Sequence, residues 1–221
     1  MAAIAQYTLT NSSSTTNATS YATASITPTA NRLVLAAIAT SIGSNAIVPT
    51  ASGNGLTYVQ IATIGDADPA TYRITLFRAM GASPSAGAVT FDFGATTQGR
   101  AIWSVTEFDN IDTGGTNGSA AIVQSNTKNQ TVGEANPSIT LSAFSDANNA
   151  TYGCLQTGGV DDTLSPGTGF TATFDSNVVE AAQDFCSEFR TDNDTSVTWT
   201  NPQVAGYTCI AVEIKNATAS T

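Results

Sequence analysis

Histidine is absent from this sequence, and most proton chemistry near neutral pH goes with it. Histidine is the usual proton carrier in that range and the commonest metal ligand, so a Ser-His-Asp triad, a Cys-His dyad and a His-ligated zinc site are all excluded. Cations are scarce as well. Seven Lys+Arg stand against 17 Asp+Glu, a formal charge of -10 that repels phosphates and leaves no basic stripe, so nucleic acid is not an expected partner. Long apolar runs are missing too. The longest, Leu33 to Ala39, is strand-sized and far below the roughly 18 residues of a membrane-crossing helix, so no membrane partner is expected. The N-terminus Met1-Ala-Ala-Ile-Ala-Gln lacks a basic region followed by an apolar core, and the expectation is synthesis without export. Three cysteines, Cys154, Cys186 and Cys209, are isolated from one another and lie in alternating apolar stretches. Buried free thiols are one reading and one disulfide with a spare thiol the other, while three lone sulfurs make a poor zinc shell.

What is present is alternation. Arg73-Ile-Thr-Leu-Phe-Arg, Arg100-Ala-Ile-Trp-Ser-Val-Thr-Glu-Phe and Tyr207-Thr-Cys-Ile-Ala-Val-Glu-Ile alternate as half-buried strands do, because successive strand side chains point to opposite faces. Turn clusters such as Ala51-Ser-Gly-Asn-Gly, Gly65-Asp-Ala-Asp-Pro and Leu164-Ser-Pro-Gly-Thr-Gly separate these runs. Strands are expected near 20–27, 32–41, 56–64, 71–80, 87–94, 100–109, 137–145, 150–157, 168–174, 184–191, 195–200 and 206–215. Helix is minor, its best segment being Asn177-Val-Val-Glu-Ala-Ala-Gln. Many short strands with frequent turns imply an all-β, antiparallel, jelly-roll-like sandwich. No repeat of solenoid or propeller period is visible.

The expected organisation is an extended N-terminal arm with an edge strand over residues 1–24, a single sandwich domain over 25–215, and a free tail over 216–221. Residues 124–136, polar and without strong alternation, are the expected loop or domain seam. Residues 8–24 hold little charge and few bulky apolar groups. They read either as an edge strand with a loose lead-in or as an arm that adds β-structure to a neighbouring subunit. On the second reading Tyr7, Leu9, Thr15, Thr16 and Tyr21 form part of the partner contact.

Paired carboxylates are the one catalytic device left, since glycosidases work with two carboxyl groups and no histidine. Glu107, Glu188 and Glu213 lie in expected strands, with Trp103 on the strand face of Glu107 as a sugar platform. Strand acids paired with Arg100 or Arg190 are the commoner use of such residues, and two Trp are few for a sugar cleft, so no enzyme is expected. Calcium is the ligand chemistry that oxygen donors allow, at Asp66/Asp68, Asp109/Asp112, Asp161/Asp162 or Asp192/Asp194, although none completes an EF-hand loop and Asp favours turns for its own hydrogen bonds. Glycosylation triplets at Asn11, Asn17, Asn117, Asn129, Asn149, Asn193 and Asn216 follow from the Asn, Ser and Thr content.

The run Asn31-Arg-Leu-Val-Leu-Ala-Ala-Ile-Ala, followed by Gly55-Leu-Thr-Tyr-Val, Tyr72-Arg-Ile-Thr-Leu-Phe-Arg-Ala, Pro84-Ser-Ala-Gly and Trp103-Ser-Val-Thr-Glu-Phe-Asp-Asn-Ile-Asp-Thr, resembles β-sandwich proteins encoded among tailed-phage virion genes. The resemblance spans roughly residues 30–125 and brings no active-site residues. It implies a jelly-roll virion protein, either a capsid decoration or cement protein bound to the major capsid protein or a tail component, and a symmetric homo-oligomer, expected to be a trimer. A glycan-binding module, with or without calcium, is the second expectation.

Overall fold

Leu33-Val-Leu-Ala-Ala-Ile-Ala-Thr-Ser is buried at every position, the mark of a strand covered on both faces. The whole architecture follows from that double burial. The computed structural model describes residues 2–42, 46–67, 70–158, 164–178, 183–201 and 204–217. The first half holds β1 (Ala5–Ser14), β2 (Ser20–Ala22), β3 (Leu33–Ser41), β4 (Thr50–Gly53), β5 (Leu56–Thr57), β6 (Val59–Gly65), β7 (Tyr72–Ala79), β8 (Val89–Asp92) and β9 (Arg100–Asp109). A 3₁₀ turn at Ser119–Ala121 leads into β10 (Ile122–Glu134), β11 (Ser138–Thr140), β12 (Ala150–Gly158), β13 (Ser165–Pro166), β14 (Thr171–Val178), β15 (Gln183–Arg190), β16 (Ser196–Thr200) and β17 (Ala205–Ile214).

These strands form two five-stranded sheets, β1-β9-β3-β7-β6 and β10-β17-β12-β15-β14, a four-stranded sheet β2-β8-β4-β5 and a three-stranded sheet β11-β16-β13. Among the described residues every strand pairing within them is antiparallel. The chain alternates between a large and a small sheet in each half, giving the jelly-roll order twice over. Three apolar clusters set the stacking. Leu35, Ile74, Ile102 and Phe108 meet Tyr152, Phe185, Ile210 and Val212 between the two large sheets. Val34, Phe77, Trp103 and Val105 meet Phe91 and Phe93 of the first small-sheet side, and Leu155, Cys186 and Cys209 meet Ile139, Val197 and Trp199 of the other. The result is four β layers, with each fully buried Leu, Ile or Phe contributing roughly 1.5–3 kcal/mol.

Apart from β5, the halves correspond strand for strand. In contact across the stack are β6 with β10 and β1 with β14, the reciprocal pairing that a two-fold relation produces. Faint sequence echoes accompany it: Ala2-Ala-Ile-Ala-Gln6 and Ala120-Ala-Ile-Val-Gln124, Val89-Thr-Phe91 and Val197-Thr-Trp199, Glu107-Phe-Asp-Asn110 and Glu213-Ile-Lys-Asn216. Close backbone approach fixes one glycine in this stack. A Cβ on Gly153 would sit 2.7 Å from Val197 Cγ1 and 2.8 Å from Trp199 Cζ2, so a side chain there would push the small sheet away.

Several expectations change. Residues 5–14 are paired along β9, with a register shift between Thr8 and Thr10, and are an edge strand of the molecule's own sheet rather than a free arm. Of residues 124–136, expected as loop or seam, 124–134 belong to strand β10 along β17; its faces are half exposed, so apolar alternation never develops. The connection between halves runs instead through the segment preceding β10, where Ile111 bridges Asn216 and Asp112 N–H donates to Lys215 O. Asn216, expected in a free tail, is buried. It donates through its side-chain amide to Ala2 O and through its backbone N–H to Asn149 Oδ1. Of the expected short helix, Asn177 and Val178 end β14, and 179–182 lie outside the described residues.

Candidate functional site

Each of the three glutamates is held by the fold. Glu107 accepts from Thr29 N–H at 2.8 Å, Thr29 Oγ1 at 2.9 Å and Arg32 Nη1 at 2.7 Å. Glu213, its counterpart, accepts from Gln124 Nε2 at 2.6 Å and Asn149 Nδ2 at 2.5 Å. Arg32 and Asn149 both stand immediately before or at the start of the central strand of their sheet, so one position serves one carboxylate in each half. Glu107 shares a strand face with Trp103 and Val105, and Glu213 one with Cys209 and Ala211. They therefore lie on opposite outer faces of the paired large sheets, farther apart than one sheet spacing of about 10 Å. Catalytic carboxyl pairs need separations of roughly 5–9.5 Å. Glu188 is on the face of Glu213 but two strands away and two residues along, about 12 Å between backbones by strand geometry. It is sealed beneath β13, where among the described residues its carboxyl accepts from Gly167 N–H at 3.0 Å and Oε1 has no partner. Burial pushes its carboxyl up to about 8. Trp103 is buried beside Tyr21, ring centroids 6.3 Å apart, and offers no sugar platform.

The aspartates expected to hold calcium are likewise engaged. Asp66 accepts from Thr71 N–H at 2.7 Å, Tyr72 N–H at 2.9 Å and the Thr71 hydroxyl. Asp109 pairs with Arg32 at 3.0 Å and Asp112 with Lys215 at 2.8 Å; the Lys215 ammonium holds the Asp112 carboxyl below its usual range. Arg190 bridges Asp192 at 2.5 Å and Asp194 at 3.0 Å. Asp68, Asp161 and Asp162 lie outside the described residues. Among the described residues no three His, Cys, Asp or Glu side chains gather as a metal site. All three cysteines are free and buried, and burial raises each thiol, Cys209 to about 12. Asn149 and Asn216 are also buried, which removes them as glycan acceptors.

The residues expected at a partner surface are scattered. Tyr7 is 44% exposed on the edge strand, with the Arg32 guanidinium 4.4 Å over its ring. Leu9 sits at the β1 register shift and packs against the core. Thr15 and Thr16 are exposed where β1 gives way to β2. Tyr21, by contrast, is a core residue, its hydroxyl 2.9 Å from the carbonyls of Thr16 and Gln98. It is not free to meet a partner.

Sequence reasoning missed the concave surface. At one end of the stack, where β3, β12, β6 and β17 start or stop, Tyr72 separates two clefts. One of about 280 Å³ lies at the seam between the halves, lined by Asp66, Tyr72, Gln130, Gln156, Tyr207 and Thr208 among others. The second, about 500 Å³, is lined by Thr15, Asn17, Ser41, Thr71, Tyr72 and Arg100 among others. The Tyr72 ring packs on Gly158, where a Cβ would come within 2.8 Å of it. Gln156 and Thr208 are register partners on adjacent strands. Both are 1% exposed, and Gln156 Oε1 and Thr208 Oγ1 have no hydrogen-bond partner. A signal was present, since Gln156 and Thr208 interrupt apolar alternation at one end of their strands. Assigning it requires knowing that both side chains face another sheet.

Comparison with family models, curated proteins and solved structures returned no match. The functional reading therefore rests on the molecule itself.

Proposed function

We propose that this chain is a non-enzymatic structural protein of a tailed-phage virion, a capsid decoration or cement protein that binds the major capsid protein and stabilises its lattice. One observation carries the proposal: the three glutamates expected to do chemistry are held by internal bonds or sealed in the core, while apolar groups are left bare at one sheet edge. Val132 is 78% exposed in the register shift at the end of β10, and Val204 is 69% exposed beside it. A Cβ on the intervening Gly133 would lie 2.8 Å from the Val204 backbone. Val132 in the irregular end of β10 and Val204 just before β17 place two exposed apolar side chains together at one sheet edge, a small docking point. The resemblance of residues 30–125 to phage virion sandwiches supports the same reading, and trimer formation on the lattice belongs to it.

The test is co-sedimentation of the purified chain with capsid shells lacking their decoration protein, for the wild type and for a Val132→Ser/Val204→Ser double variant. Binding that the double variant loses while keeping its melting temperature is the expected result. Absence of wild-type binding to expanded shells overturns the proposal. A second reading, a glycan-binding module of a tail fibre or surface protein, is favoured by the cleft beside Tyr72. In that reading the described aspartates expected to hold calcium, Asp66, Asp109, Asp112, Asp192 and Asp194, already accept from backbone donors or pair with cations.

A further inference from the structure

We propose that the cleft at the seam between the two jelly rolls is a binding site for a neutral sugar ring, with Gln156 and Thr208 as its polar floor and Tyr72 as its aromatic wall. The inference rests on the glycan-binding reading and is independent of where in a virion the chain sits.

The floor is chemically unfinished. Gln156 donates through Nε2 to Thr40 O at 3.4 Å, a long contact, and its Oε1 accepts nothing. Thr208 Oγ1 makes no bond at all. Buried polar atoms without partners each cost roughly 1–3 kcal/mol, so two of them side by side on adjacent strands call for something that both donates and accepts. Gln183, paired across from Gly158 at the cleft rim, is also buried with both amide atoms unpartnered. Water satisfies such groups in small sealed pockets. Here the space is open and holds about 280 Å³, room for several waters' worth of liquid and for one ring, just under the range usual for drug-sized ligands.

The lining selects the ligand class. Among the described residues no Lys or Arg lines the seam cleft, so an anion meets no counter-charge from them. Among the described lining residues Asp66 is the one carboxylate, and both of its oxygens already accept from Thr71 and Tyr72, so a cation finds little. Tyr207 is likewise committed, its hydroxyl bonded to Glu134. An apolar ligand would leave the floor unpaired. What remains is an uncharged molecule with hydroxyls that donate and accept and a C–H face to set against a tyrosine ring. Tyr72 also lines the neighbouring 500 Å³ cleft, whose Thr15, Asn17 and Ser41 offer further polar groups. A longer glycan would run past Tyr72 into that cleft.

The experiment is saturation-transfer NMR on the full chain with the methyl glycosides of glucose, galactose, mannose, rhamnose and N-acetylglucosamine, followed by a glycan array and titration of whatever binds. Thr208→Val and Gln156→Leu remove the unpartnered atoms with little change of shape, so melting temperature is expected to stay level or rise. Affinity is expected to fall about tenfold or more in each. Binding that both variants leave unchanged overturns this cleft as the site and leaves the glycan reading standing. No binding by the wild type to any glycoside or array glycan overturns the site and the glycan reading together.

Discussion

Burial of Glu188 in β15 raises its carboxyl to about 8, with the Gly167 N–H as the one donor that favours the charged form. In the unfolded chain the same group ionises near 4.3. Between those values the folded state holds a proton that the unfolded state has released, so stability falls as pH rises across the window and the loss is complete above about 8. The slope is at most about 1.4 kcal/mol per pH unit. Glu134 works in the opposite direction. Its bond from Lys128, with those from Tyr207 and Gln130, lowers it to about 2, so its contribution is lost only on acidification below the ordinary carboxylate range. With no histidine in the chain, Glu188 is the described group whose raised value spans pH 5 to 8, and Asp175, also raised by burial, acts with the same sign. Urea midpoints are expected to fall from pH 5 to pH 8 in the wild type and to stay nearly level in Glu188→Gln; an unchanged slope in that variant would place the proton elsewhere. A second residue-scale test concerns Glu107, which is buried and loses its charged partner in Arg32→Met. With the two Thr29 donors remaining, the expected cost is about 2–3 kcal/mol by urea denaturation.

Whether β1 belongs to the molecule or to a neighbour decides what its removal does. It pairs with β9 over its length, Ile4 just before it reaches the central core, and Thr8 Oγ1 donates to Thr173 O in the other half at 3.0 Å. Deleting residues 2–14 uncovers β9, a strand buried at nearly every position. The expected outcome is a melting temperature lowered by ten degrees or more, on the order of 3 kcal/mol at this chain length, or loss of soluble protein. A truncated chain that melts like the wild type would return β1 to the role of a free arm. That assignment also shows what the sequence could disclose. Strands with a clear apolar face, such as β7, β9 and β17, were legible to within a residue or so, because Ile74/Leu76 and Ile210/Val212 repeat with period two. Strands β1 and β10 were not, since edge strands expose half their side chains and can be built from Thr, Ser, Asn and Gln. The short β4 hid inside a turn cluster, where Asn54 and Gly55 at φ 56° and 65° close the hairpin to β5. The seam cleft was hidden for a different reason: Gln156 and Thr208 are 52 residues apart and meet only through strand register.

At the scale of the whole molecule, the two jelly rolls behave as a dimer in one chain. Each presents its five-stranded sheet to the other, and the cluster between them draws on both halves almost equally, with Leu35, Ile74 and Phe108 on one side and Tyr152, Phe185 and Val212 on the other. Such a face is the interior of one body and the interface of two, and it resembles an obligate homodimer interface more than a surface on which domains move. The linker tightens the pair: Lys215 N–H donates to Ala121 O, Ala217 N–H to Asn110 O, and Asn110 Nδ2 to Ala3 O, so the chain's start, middle and end are laced together. Two consequences are measurable. The full chain is expected to unfold in one transition, with fluorescence and far-UV signals coincident, because neither half keeps its large sheet covered once the other opens. Residues 1–118 produced alone are expected to pair through the uncovered sheet as a homodimer or to aggregate. Co-expressed with residues 119–221, they are expected to form a one-to-one complex that restores the melting temperature to near that of the intact chain, less the contribution of the lost covalent link. Size-exclusion chromatography with light scattering reads each outcome directly. A stable, soluble monomer of either half would mean that the jelly rolls are separate domains and that the apolar layer between them is dispensable. A restored complex would show that the two-fold seam, which also forms the Tyr72 cleft, assembles from the complementary faces of two folded halves.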